Sequence, residues 1–306
     1  MILAVASGKG GTGKTTVATS LALAISDQSP TFLDCDVEAP NAHLFLCPDF
    51  QNQVEVALPI PRVDKVKCTG CGRCAEVCQY HAIVVVGGNV LVFPELCHGC
   101  GSCTLQCPEE AIEEVPHSLG LLESGPAKAG IHFARGVLNI GEPMAVPIIR
   151  ELKRWHTFSD EGTVIRDAPP GTSCPVVETM RGSDFVLLVT EPTPFGLHDL
   201  KLAAQLTRDL ELPTGVVLNR AGVGDSSVEE FCQDAGIPIL MRIPLDEAIG
   251  LAVARGNTLV EAFPEYLPRF RGLHTQISFM VHPEKVAASI QTLDAQTSRE
   301  MGLGTS

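Results

Sequence analysis

Apolar residues in this chain gather into short unbroken runs separated by stretches with helical spacing. Ile2-Leu3-Ala4-Val5-Ala6 is one such run, and residues 185–190 are another. Runs of this length without polar alternation read as strands buried on both faces, the habit of parallel sheets. Residues 15–25 place Val17, Leu21, Ala24 and Ile25 at helical intervals. Further helices are predicted at 147–155, 197–210 and 227–235, and further strands at 31–33, 163–166, 215–218 and 237–243. Strand and helix alternate, which predicts an α/β fold with a doubly wound, mostly parallel sheet.

The alternation breaks between residues 59 and 116, where cysteine and glycine become dense and one phrase is repeated. Cys68-x2-Cys71-x2-Cys74-x3-Cys78 is followed by Cys97-x2-Cys100-x2-Cys103-x3-Cys107-Pro108. Each copy runs on similarly, into Ala82-Ile83-Val84 and Ala111-Ile112-Glu113. Pro59, Pro61 and Pro116 mark the edges. The expected division is a discontinuous α/β domain of residues 1–58 and 117–296, an inserted small α+β domain of residues 59–116, and a flexible tail of residues 297–306.

Composition narrows the partners. The 306 residues are 45% hydrophobic, enough for an ample core, and the net charge is −14. That charge excludes a basic nucleic-acid surface. No signal peptide and no membrane-length apolar run is visible, so the expectation is a cytoplasmic protein without a membrane partner. Twelve cysteines in a reducing compartment point to metal binding instead of disulfides.

The doubled cysteine run is the ligand pattern of a ferredoxin with two [4Fe–4S] clusters, in which the fourth cysteine of each run ligates the other cluster. Cys68, Cys71, Cys74 and Cys107 are therefore assigned to one cluster, and Cys97, Cys100, Cys103 and Cys78 to the second. Zinc, which needs only four ligands per site, explains the crossed pattern less well. Gln79 follows Cys78 where a proline is usual.

The residues after the first strand, Gly8-Lys9-Gly10-Gly11-Thr12-Gly13-Lys14-Thr15-Thr16, contain G-x4-G-K-T. Gly8, Gly10, Gly11 and Gly13 allow backbone N–H groups, with Thr12 and Thr16, to wrap phosphates at a helix N-terminus. Lys14 is suited to the β- and γ-phosphates and Thr15 to magnesium, so ATP and Mg2+ are the expected ligands.

With Lys9, the loop resembles that of the deviant Walker A ATPases, the family of MinD, ParA, Mrp and the nitrogenase iron protein. The resemblance implies that Lys9 reaches across a dimer interface to the partner's nucleotide, in a homodimer or a heterodimer with a related ATPase. Asp34-x-Asp36 resembles switch I, which gives Asp36 a place beside the attacking water and magnesium. Asp167, before Pro169-Pro170-Gly171, resembles the Walker B and switch II carboxylate. Asn219 matches the family's adenine-side asparagine. Ile243-Pro244-Leu245-Asp246 and Glu191-Pro192-Thr193-Pro194-Phe195 resemble loops near the base, so Pro244 joins the nucleotide set. A helix cap or turn residue is the plain alternative for each aspartate.

Cys35, Cys47, Cys174 and Cys232 remain, and small buried hydrophobes are the expectation. Cys174 lies seven residues past Asp167, like a cluster cysteine of the nitrogenase iron protein. Residues 127–136 lack the second cysteine which that bridging cluster requires. The leading expectation is an ATPase whose nucleotide state gates electron transfer through two clusters to an unidentified redox partner. An iron–sulfur scaffold or carrier is the alternative, although no Cys-x-x-Cys lies outside the two runs. Spatial positioning of the MinD or ParA kind is the third.

Overall fold

The computed structural model describes residues 1–155 and 162–282. Both the predicted tail, 297–306, and the last residues assigned to the larger domain, 283–296, lie outside them.

The strands are β1 (Ile2–Ala6), β2 (Thr31–Asp34), β3 (Asn52–Val63), β4 (Ile83–Val86), β5 (Asn89–Val92), β6 (Ile112–Pro126), β7 (His132–Leu138), β8 (Val164–Asp167), β9 (Phe185–Thr190), β10 (Thr214–Ala221) and β11 (Ile239–Pro244). Nine of them form one sheet in the order β11-β10-β9-β1-β8-β2-β7-β6-β3, while β4 and β5 pair separately. The seven strands from β11 to β7 run parallel, and β6 and β3 continue antiparallel at one edge. This is the mostly parallel α/β fold expected.

The helices are α1 (Lys14–Ala24), α2 (His43–Leu46), α3 (Arg73–Glu76), α4 (Ser102–Leu105), α5 (Val146–Trp155), α6 (Cys174–Met180), α7 (Pro194–Asp209), α8 (Ser227–Asp234), α9 (Glu247–Ala254), α10 (Leu259–Ala262) and α11 (Tyr266–Val281). Alternate residues of β1 feed opposite cores. Leu3 and Val5 join Val17 and Leu21 of α1 and Phe270 of α11. Ala4 and Ala6 join Val176 of α6, Leu200 of α7 and Val228 of α8. A strand covered on both faces has no polar side to show, which is why its sequence reads as a continuous apolar run. Helix α7 begins three residues before the predicted 197, because Thr193 Oγ1 accepts from the Gly196 N–H at 3.0 Å and Pro194 occupies the first turn.

Strands β3 and β6 are two long arms paired from Asn52↔Ser124 to Val63↔Ile112. Pro59 stands directly opposite Pro116 and Pro61 opposite Glu114, so all three prolines that mark the insert in sequence lie inside one continuous ladder. Leu119 is an extra residue on β6, between the pairs Val56↔Gly120 and Ala57↔Ser118. Such a bulge bends and twists the ribbon. At the root of the arms Gly125 is required, since a Cβ there would lie 1.7 Å from the Asp49 carbonyl oxygen. Among the described residues no helix is long and apolar enough to cross a membrane.

Candidate functional site

The Gly-rich loop joins β1 to α1 at the carboxyl ends of the parallel strands. Gly13 caps α1 with φ 90°, a conformation that favours glycine. A Cβ there would also lie 2.3 Å from Asn219 Nδ2, whose N–H donates to the Thr12 carbonyl at 2.8 Å. Gly8 lies against α7, where a Cβ would meet the Asp199 carbonyl at 2.2 Å. Sequence-distant elements thus clamp the loop from both sides.

Above it opens a cavity of about 530 Å3. Lys9, Gly10, Gly11, Thr12, Gly13, Lys14, Thr15 and Thr16 line it, together with Asp36, Asn219 and Pro244. The structure therefore brings these predicted residues to one place. Asp167 lies at the end of β8, fully buried and outside the lining. It engages the cavity through two of its residues: Lys14 Nζ donates to Oδ1 at 2.7 Å and Thr15 Oγ1 to Oδ2 at 2.6 Å. The ammonium and hydroxyl suited to phosphate and magnesium thus share one carboxylate. Thr12 Oγ1 is buried and has no hydrogen-bond partner among the described residues. A buried unpaired hydroxyl in a Gly-rich loop at a helix N-terminus fits a phosphate oxygen.

Burial, reinforced by the charge of Asp167, pushes the Asp34 carboxyl up to about 7. Asp34 accepts backbone N–H bonds from Asn41 and Ala42, each at 3.0 Å, which pins the chain after Asp36. Burial also raises Asp36, against the opposing pull of Lys14. Lys9 is held by Glu191, whose other oxygen takes Arg220 at 2.7 Å. Burial acts to raise Glu191, yet these cations hold it below the usual carboxylate range. Arg220 also donates to the Gly11 carbonyl at 3.2 Å and adopts a left-handed φ of 54°. Sequence reasoning missed Arg220 and gave Glu191 no side-chain role. Their adjacency to Asn219 and to the loop at residues 192–195 was the available signal.

The cysteines sort into two further cavities. Cys68, Cys71, Cys74 and Cys107 line one; Cys78, Cys97, Cys100 and Cys103 line the other. The local geometry repeats as the sequence does. Gly72 and Gly101 cap α3 and α4 with φ 85° and 73°. His81 and Glu110, each three residues past the fourth cysteine, have left-handed φ of 53° and 48°. Ala82 N–H donates to Cys78 Sγ and Ala111 N–H to Cys107 Sγ, both at 3.3 Å. Four thiols about a hollow, with amides aimed at sulfur, suit a polynuclear thiolate-bound centre. Among the described residues no group of three or more His, Cys, Asp or Glu is already drawn together closely enough to hold a metal ion.

Of the remaining cysteines, Cys35 and Cys232 are buried as expected, and burial pushes the Cys35 thiol up to about 12. Cys47 and Cys174 are exposed, which corrects the expectation of burial. Cys174 opens α6, directly after the loop that follows Asp167, where solvent reaches the first turn.

Residues 3–260 match the family described as the CobQ/CobB/MinD/ParA nucleotide binding domain. An uncharacterised protein of Methanocaldococcus jannaschii is 32% identical over 263 residues, covering 85% of this chain and 92% of its own length. The cytosolic Fe-S cluster assembly factor NUBP2 of Gallus gallus is 26% identical over 284 residues and 86% of each chain. The septum site-determining protein MinD of Pyrococcus horikoshii, solved with Mg-ADP, superposes with a TM-score of 0.55 at 20% identity, over 90% of this chain and 95% of its own. The chain thus belongs to the CobQ/CobB/MinD/ParA family of nucleotide-binding domains, and its fold is that of the MinD-type P-loop proteins.

Proposed function

We propose that this protein hydrolyses ATP in a nucleotide-dependent dimer and couples its nucleotide state to electron transfer, through two [4Fe–4S] clusters in an inserted ferredoxin-like domain, to a partner protein. The observation that carries the proposal is the sorting of eight cysteines into two cavities by the crossed rule, with Cys107 beside the first run and Cys78 beside the second. Cys68, Cys71, Cys74 and Cys107 would hold one cluster, and Cys97, Cys100, Cys103 and Cys78 the other. Bound there, each cluster supplies a one-electron carrier. The chain's own residues supply the switch. Lys14 and Thr15 take phosphate and magnesium from above Asp167, Asp36 orients the attacking water, and Lys9 exchanges Glu191 for the partner's nucleotide. Both ends of the insert return to the sheet through β3 and β6, so motion in the loops after Asp36 and Asp167 has a route to the clusters.

The crossed assignment is testable by single substitution. Cys78→Ser is expected to perturb the electron paramagnetic resonance signal of the cluster held by Cys97, Cys100 and Cys103. Cys107→Ser is expected to perturb the other signal. Perturbation confined to the run in which each cysteine lies would refute the crossing.

A second reading, cluster delivery, is favoured by the names of two relatives: the assembly factor of Gallus gallus and an iron-sulfur cluster carrier protein of Aquifex aeolicus, 24% identical over 284 residues. Transfer of iron and sulfide to an apo-ferredoxin within minutes, accelerated by ATP, would select it over electron transfer.

A further inference from the structure

The first cysteine cavity, of Cys68, Cys71, Cys74 and Cys107, and the second, of Cys97, Cys100, Cys103 and Cys78, are built alike wherever the repeated sequence agrees. Each receives one backbone donor on its crossed cysteine: Ala111 N–H on Cys107 at the first and Ala82 N–H on Cys78 at the second, both at 3.3 Å. Each has one exposed carboxylate in its lining, Glu109 at the first and Glu114 at the second. These features cannot tell the two sites apart.

The difference lies on either side of the third cysteine. Cys74 stands between Arg73 and Ala75, whereas Cys103 stands between Ser102 and Thr104. Cys100 Sγ and Ser102 Oγ are 3.6 Å apart, within reach of a hydrogen bond to sulfur. As a thiol, Cys100 is the donor of that pair. As a cluster ligand it is a thiolate without a proton, and the Ser102 hydroxyl becomes the donor. Thr104 Oγ1 is buried and has no hydrogen-bond partner among the described residues. Burial raises the Cys103 thiol, and the Thr104 hydroxyl leads the groups that draw it back, so this oxygen acts on that sulfur without completing a normal bond to it. A buried, open hydroxyl beside a cysteine fits a sulfur that carries charge. The first site has no equal of this pair. Ala75 has no side-chain donor. Arg73 is exposed, with its guanidinium on Glu76 at 3.2 Å and on Gln106, and an exposed cation already paired is weakened by solvent screening.

We propose that Ser102 and Thr104 make the second site the more easily reduced of the two, so that an electron entering the insert comes to rest among Cys97, Cys100, Cys103 and Cys78. The inference deepens the electron-transfer reading and rests on it for the two clusters. One added electron is one added negative charge spread over the sulfurs, and a hydroxyl donor holds that charge better than it holds the oxidised form. The exchange between the sites is of one electron: the first is oxidised by one and the second reduced by one, with no bond made or broken and no proton moved. Flow inside the insert then runs from the first site to the second.

The test is an anaerobic redox titration, followed by electron paramagnetic resonance, of the full-length protein reconstituted with iron and sulfide. Cys71→Ser and Cys100→Ser assign the two signals without relying on the crossed cysteines. The signal perturbed by Cys100→Ser is expected to have the higher potential. Thr104→Val keeps the shape of the side chain and removes its hydroxyl. It is expected to lower that potential by about 59 mV, a tenfold change in a one-electron equilibrium, and to leave the other potential in place. Ser102→Ala is expected to lower the same potential, and Thr104→Ser, which keeps a hydroxyl, to retain the wild-type value. An equal or lower potential at that signal in wild type, or one that neither Thr104→Val nor Ser102→Ala lowers, would overturn the proposal. Two clusters with the order reversed would sink this inference and keep the clusters. The expected order with potentials indifferent to nucleotide would sink the coupling to ATP and keep the inference.

Discussion

At the residue scale the cations of the nucleotide site are held on two buried carboxylates, Lys14 on Asp167 and Lys9 with Arg220 on Glu191. Lys14 is almost wholly buried against Asp167. Replacing it by alanine removes the cation aimed at the phosphates and strands the Asp167 charge. Lys14→Ala is expected to lower ATP hydrolysis at least about 100-fold, the usual cost of losing one electrostatic stabiliser of a transition state. Iron bound by the cysteines is expected to be unchanged, and colorimetric phosphate and iron assays on one preparation check both. A second residue gives a pH signature. His274 of α11 is buried, with Nε2 3.0 Å from Thr163 Oγ1. Burial, aided by the chain's amino terminus, holds its pKa below the ordinary 6.5. The unfolded chain therefore takes up the proton first, and the stability that neutral His274 gives is present above pH 6.5 and lost as pH falls below it. Urea unfolding between pH 5 and 8 is expected to show that decline in wild type and a flatter profile in His274→Gln.

At the element scale α5 joins the arms to the segment beyond Asp167. Lys153 of α5 donates to the carbonyls of Glu178 and Arg181 and to the Glu178 carboxylate, so it grips the end of α6. Its partner Glu178 is itself buried. Lys153→Met is expected to destabilise the fold by about 3 kcal/mol, the low end of the roughly 3–5 kcal/mol for breaking a buried pair because Arg150 still reaches Glu178, seen as a lower midpoint in denaturant unfolding. Elements also show which part of the molecule was legible in sequence. Strands β1, β8 and β9 were readable because burial on both faces leaves continuous apolar runs. The strand–loop–helix placing of the Gly-rich loop and the sorting of the cysteines into two cavities were readable because spacing over a dozen residues sets them. Strands β3 and β6 were not. Pro59 and Pro61 argue locally against a strand, and β6 carries Pro116 and Gly120; their stability comes from pairing across some fifty residues. Glu191 and Arg220 were hidden for the same reason, since their meeting with Lys9 and Gly11 is made by the sheet.

At the scale of the whole molecule, one ribbon joins the sheet that carries the nucleotide cavity to the two cysteine cavities. The ladder of β3 and β6 runs from the edge of the nucleotide-binding sheet to the two cysteine cavities without a break in pairing, save the bulge at Leu119. On the proposed function, such a ribbon would carry a shift in the sheet to the cysteine cavities more faithfully than a flexible linker. The account therefore predicts that ATP state is felt at the cysteines. The measurement that tests this most directly is an anaerobic redox titration of the reconstituted protein, followed by electron paramagnetic resonance, with Mg-ADP and then with a non-hydrolysable ATP analogue. The account predicts about eight irons per chain in two four-iron clusters, with at least one potential that differs between the nucleotide states. About four irons or fewer, or two potentials indifferent to nucleotide, would contradict it.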